Sequence, residues 1–118
     1  MLTDRYRQPF QVLQASIDRL TQLIGTGELT VAEVEAAQQV FQEQVLPLDL
    51  EDLEPTIASR LQAIQTEISK QFRLLSTDVV FLKAARQSAT ATQRQGQIRE
   101  RLGLLSGYCG VVLGREGE

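Results

Sequence analysis

The chain has 118 residues, 42% hydrophobic and 23% charged, with a net charge of −3, one cysteine and no histidine. That is enough for one soluble-type domain whose core needs no staples. The missing histidine excludes Glu-x-x-His di-metal bundles, Cys/His zinc sets, Ser-His-Asp nucleophiles and phosphohistidine transfer.

No phosphate-binding glycine loop of either common type is present. Catalytic, cofactor-binding and metal-ligating residues are therefore all expected to be none. The pI near 5.0 argues against general nucleic-acid binding. No apolar run approaches the roughly 18 residues that span a membrane. The first ten residues carry Asp4, Arg5 and Arg7 and lack the apolar stretch of a secretory signal. Cys109 has no partner cysteine in the chain. These features give the expectation of a reduced, cytoplasmic protein.

In the first segment Leu2, Tyr6, Phe10, Leu13, Ile17, Leu20 and Ile24 recur at steps of three and four, the spacing of one helical stripe. Thr3 is the candidate N-cap. Pro9 predicts a kink inside this helix rather than a later start, because the stripe continues through Tyr6. Gly25-Thr26-Gly27 ends it. Thr30 and Glu33 form a capping box for a second helix. Its stripe is Val31, Val34, Ala37 or Gln38, Phe41 and Val45, and Pro47 stops it. Between Leu46 and Pro55 one short turn of helix is expected.

A long third helix is predicted from about Thr56 to Ser88, with Ala85 and Arg86 continuing its line. Its stripe runs Ile57, Leu61, Ile64, Ile68, Phe72, Leu75, Val79 and Leu82. Leu74, Phe81 and Ala85 add an apolar flank, so its second half should touch two neighbours. A joint at Ser88–Thr92 follows, capped through Thr90 with Gln93 or Thr92 with Gln95. The fourth helix has the seam Ile98, Leu102, Leu105, Cys109 and Val112. The whole reads as an all-α, antiparallel up-down-up-down four-helix bundle over residues 1–118, with coiled-coil-like spacing.

Charge is uneven. Residues 28–54 hold eight acids and no bases, and residues 60–101 hold eight bases and three acids. Opposite patches of this kind either pair across a bundle surface or steer a protein partner. Asp49, Glu51, Asp52 and Glu54 alternate with leucines that either plug the bundle end or offer a partner handle. On the basic side the corresponding candidates are Arg73, Lys83, Arg86 and Arg94. Asp78 falls inside the apolar arc of the third helix, so it is expected to be a buried, paired structural acid. Gly96, Gly103, Gly107, Gly110 and Gly114 form a stripe nearly opposite the last seam. It reads either as a fraying end or as a flat face for another helix. Cys109 reads as a small buried apolar group.

Three blocks carry a family resemblance: Ile57-Ala-Ser-Arg60 leading into Leu61–Ile68, the run Phe72–Thr90, and Arg99-Glu-Arg-Leu102 with Gly107-Tyr-Cys109. Tyr6-Arg-Gln and Leu46-Pro-Leu48 extend it over most of the chain. The sequence resembles the heterocyst frequency control protein PatD family of cyanobacteria. The most specific block is Phe72 to Thr90. The glycine-rich end, Gly103 to Gly117, departs from the resemblance. It implies a small non-enzymatic regulator of heterocyst differentiation whose partner is the cell-division protein FtsZ, and it transfers no binding residue. The alternatives are a nucleic-acid-associated regulator using the basic 60–101 stretch, and a homo-oligomeric structural protein such as a homodimer.

Overall fold

A computed structural model describes residues 2–114. The elements are α1 (Asp4–Thr26), α2 (Val31–Val40), a π turn (Phe41–Val45), α3 (Pro55–Ala84) and α4 (Ser88–Leu113). The described residues contain no strand. The all-α bundle read from the 3/4 spacing is the observed fold.

Helix α1 starts where the stripe predicts and carries Pro9 inside it. Proline has no amide to give the Arg5 carbonyl, yet Phe10 and Leu13 beyond it are fully buried. Packing of that face holds the second turn despite the lost bond. Thr3 occupies the N-cap position without a side-chain cap bond. Gly27 closes the helix in the left-handed region at φ 76°, where a Cβ would strain the chain. At α2, Thr30 accepts from the Glu33 amide at 3.2 Å, the first half of the expected box.

The end of α2 widens into a π turn, closed by the Leu46 amide on the Phe41 carbonyl at 2.9 Å. A five-residue hydrogen-bond step brings residues four apart closer to one face. It thereby keeps Phe41 and Val45 both buried. Buried Gln65 donates to the Val45 carbonyl at 3.0 Å, so the chain leaves the turn with that acceptor satisfied.

Residues 46–54 form separate turns rather than the expected turn of helix. One is closed by the Leu53 amide on the Leu50 carbonyl at 3.1 Å. Leu48, Leu50 and Leu53 pack against the core as half-buried groups. Placing all three inward favours an irregular path over a helix, which would turn some of them outward.

α3 ends at Ala84, four residues short of the expectation, and Ala85 is extended. α4 begins at Ser88 with Gln87 at the N-cap and no side-chain cap bond. The expected joint at Ser88–Thr92 is thus helical, and neither threonine pair caps it. The second half of α3 touches two neighbours, the π turn through Phe72 and α4 through Asp78, but past Val79 its flank opens and the side chains of Val80 and Phe81 are about half exposed.

The helices pack α1 on α2, α2 on α3, α3 on α4 and α4 on α1. Tyr6 donates to the Asp49 carbonyl at 3.1 Å, so the start of α1 lies beside the end of the α2 segment. Gln14 donates to Ser106 Oγ at 3.0 Å, tying α1 to α4. The core draws on every helix and includes the whole predicted α4 seam, Ile98, Leu102, Leu105, Cys109 and Val112. The body measures 51 × 28 × 20 Å. Its two ends are the 46–54 linker and the α3–α4 corner at residues 85–87.

The glycine stripe is not uniform. Gly110 is buried, Gly107 is half-buried, and Gly96 and Gly103 are exposed with open space where a Cβ would stand. Gly110 therefore departs from the expected face opposite the seam. α4 stays helical to Leu113, and Gly114 caps it at φ 73°. Gly117 lies outside the described residues.

Candidate functional site: the charged ends and the Asp78 cluster

Asp78 sits on the α4-facing side of α3, 3% exposed. Its Oδ2 accepts from Arg101 Nε and its Oδ1 from Arg94 Nη1 at 3.4 Å. Arg101 also donates to Gln71 Oε1 at 3.3 Å, and Arg94 to Gln97 Oε1 at 3.0 Å. Both carboxylate oxygens are occupied by cations from the neighbouring helix. The paired internal acid expected from the apolar arc is what the fold contains. Both partners come from α4, the helix packed against this side of α3.

Such a cluster fixes the sliding register of α3 against α4. It offers little chemistry, since both carboxylate oxygens are already taken by guanidinium groups of α4. Arg94 also covers the Phe81 ring at 4.7 Å. The charge pattern of the sequence predicts Arg94 to be a surface base open to a partner. The structure instead makes it a half-buried member of the Asp78 cluster.

The other charged candidates separate into two ends and a side. Asp49, Glu51, Asp52 and Glu54 are exposed at the linker end, outside the three inward leucines. Asp49 Oδ1 accepts from the Glu51 amide at 3.0 Å, and Asp52 meets Arg5 at 3.3 Å. That ion pair is well exposed on both sides and adds little stability. Lys83 and Arg86 are exposed at the opposite end, beside Val80 and Phe81. Arg73 belongs to neither: it lines an open cleft of about 640 Å³ along α3 with Leu46, Gln62 and Lys70. The four basic candidates thus do not form one patch.

Tyr108 of α4 lies beside Glu67 of α3. Partial burial pushes its phenol above the usual tyrosine range, and the Glu67 carboxylate pushes the same way. The described residues contain no group of three potential metal ligands among His, Cys, Asp and Glu. None of the described helices is long and apolar enough to cross a membrane.

No family model matches the chain, and no curated protein or solved structure was found to be similar to it. The geometry therefore carries the functional reading beside the resemblance of the 57–109 blocks.

Sequence reasoning did not single out the α3–α4 corner as a unit. Its signal was present: residues 79–99 hold Lys83, Arg86, Arg94 and Arg99 and no acid.

Proposed function

We propose that the chain is a non-enzymatic regulatory adaptor that acts by binding another protein. By its resemblance to the PatD family, that partner is FtsZ, and the outcome is altered filament assembly and heterocyst frequency in cyanobacteria. The observation that carries the reading is the α3–α4 corner. There Val80 and Phe81 stand half exposed next to exposed Lys83 and Arg86, with no acid in the surrounding stretch. Exposed aromatic and aliphatic groups ringed by one sign of charge suit an acidic, partly apolar partner segment. The acidic linker is a second surface of opposite sign at the far end.

The test is co-sedimentation with the cognate FtsZ. Binding, or a change in polymer mass, supports the reading, and neither effect contradicts it. Charge reversal at Asp49, Glu51, Asp52 and Glu54, set against reversal at Lys83 and Arg86 and, separately, at Arg73, assigns the surface. Arg94 is reserved for a separate variant because it also holds Asp78.

A further inference from the structure

Asp78 carries one negative charge between two guanidinium ions, so the cluster holds one surplus positive charge. The corner supplies no acid to balance it. Residues 79–99 contain none, and Glu100, the one acid of α4, lies about 9 Å along the helix from Arg94. Glu100 is in no ion pair among the described residues.

The surplus falls on Arg94. Arg101 gives Nε to Asp78 and Nη1 to Gln71. Arg94 makes both of its hydrogen bonds through a single nitrogen, Nη1, to Asp78 and to Gln97. Its Nε and Nη2 have no acceptor among the described residues. They also meet solvent, because Gln14 Oε1 is the one buried side-chain polar atom without a partner among those residues. The Nε–H and Nη2–H of an arginine form a two-pronged edge that matches both oxygens of a carboxylate. The fold leaves that edge open on a guanidinium whose other nitrogen is tied down.

The plane of the group is held as well, since it lies over the Phe81 ring at 4.7 Å. An arginine fixed by Asp78, Gln97 and Phe81 has little rotamer freedom left to lose on taking up a ligand. Val80 and Phe81 stand half exposed, so apolar surface adjoins the open donor edge. Lys83 and Arg86, exposed at the same corner, keep the local potential positive.

We infer that the Nε/Nη2 edge of Arg94 is a carboxylate-binding anchor, whose ligand is an acidic side chain of a peptide segment with an apolar neighbour seated on Phe81 and Val80. The occupant is a peptide rather than a free anion, because a small hydrophilic anion leaves the adjoining apolar surface uncovered. The site deepens the adaptor reading and rests on it for a protein as the partner.

The test is a titration of the full chain, labelled with nitrogen-15, with the tripeptide N-acetyl-Leu-Glu-Leu-amide. Arginine Nε–H signals report the contact, and the Arg94 signal is the one lost in Arg94→Lys. The glutamate peptide is expected to shift that signal saturably, and its glutamine counterpart is not. Arg94→Lys keeps the charge and loses the fork. It should weaken peptide binding, read from the Val80 and Phe81 amides, about tenfold, the worth of one charge-assisted hydrogen bond. Acetate and inorganic phosphate are the remaining arms, and an equal response to either at the same concentration would overturn the peptide ligand. The site is also overturned by a silent Arg94 signal, by an equal shift with the glutamine peptide, or by unchanged affinity in Arg94→Lys. Co-sedimentation with FtsZ is read separately. Peptide binding at Arg94 in a chain that ignores FtsZ upholds the site and contradicts the FtsZ reading, whereas FtsZ binding with a silent Arg94 does the reverse.

Discussion

Asp78 and Arg101 bond directly across the long helices, carboxylate to guanidinium, with Arg94 on the other carboxylate oxygen. α3 and α4 extend as a hairpin toward the 85–87 corner, and Asp78 is the last deeply buried polar group before it. The pairing sets how far α4 slides along α3. It thereby sets which residues reach the corner.

Asp78→Ala is expected to cost about 1–3 kcal/mol in urea unfolding. Breaking a fully buried pair costs more, but Arg101 and Arg94 retain 23% and 32% side-chain exposure and can turn to water. Reversal of the exposed pair Arg19–Glu33 should cost well under 1 kcal/mol and vanish in high salt. Equal costs for the two sites would show that the cluster does not fix the hairpin.

Two threonines occupy N-cap positions, and only one makes the bond. Thr30→Ala should lower stability by about 1 kcal/mol, because the Glu33 amide loses its acceptor. Thr3→Ala should change thermal stability little, since its side chain caps nothing.

The phenylalanines should divide in the same way. Phe41 and Phe72 are fully buried with ring centroids 6.1 Å apart. Phe41→Ala should cost about 3–5 kcal/mol in chemical denaturation. Phe81→Ala removes a half-exposed ring and one contact with Arg94, so its effect on stability should stay near 1 kcal/mol or less. Its larger effect should fall on partner binding.

Tyr108 makes a pH prediction. Its folded-state pKa lies above the value of 10.0 for a free phenol, through partial burial first and the Glu67 carboxylate second. The neutral form is therefore favoured in the folded chain. Its contribution to stability is fully present below pH 10.0 and is lost as pH rises through the folded-state value. In a Tyr6→Phe background, tyrosinate absorbance should titrate late. Glu67→Gln should move the midpoint down, though not fully to the free value because burial remains. An unchanged midpoint would remove Glu67 from the account.

The helices were legible because their apolar stripes are long and regular. Every α4 seam residue from Ile98 to Val112 is buried where the 4/3 spacing put it. The end of α3 was not legible. Ala84, Ala85, Arg86 and Gln87 are all acceptable helix residues, and no glycine or proline marks the corner. The chain turns there so that α4 can return its apolar seam, Ile98 to Val112, to the core, a tertiary demand that local propensity does not carry. The need of Asp78 for a partner was visible in its position among apolar neighbours. The choice of Arg94, which removes it from the open basic surface, required the heights of two helices.

The most direct measurement of the adaptor reading is co-sedimentation of FtsZ polymers with the native chain and with a Phe81→Ala, Lys83→Glu, Arg86→Glu variant. The account predicts that the native chain pellets with the polymers or changes their mass, and that the triple variant loses this effect while keeping its helical content. A native chain that neither binds FtsZ nor alters its assembly would contradict the account.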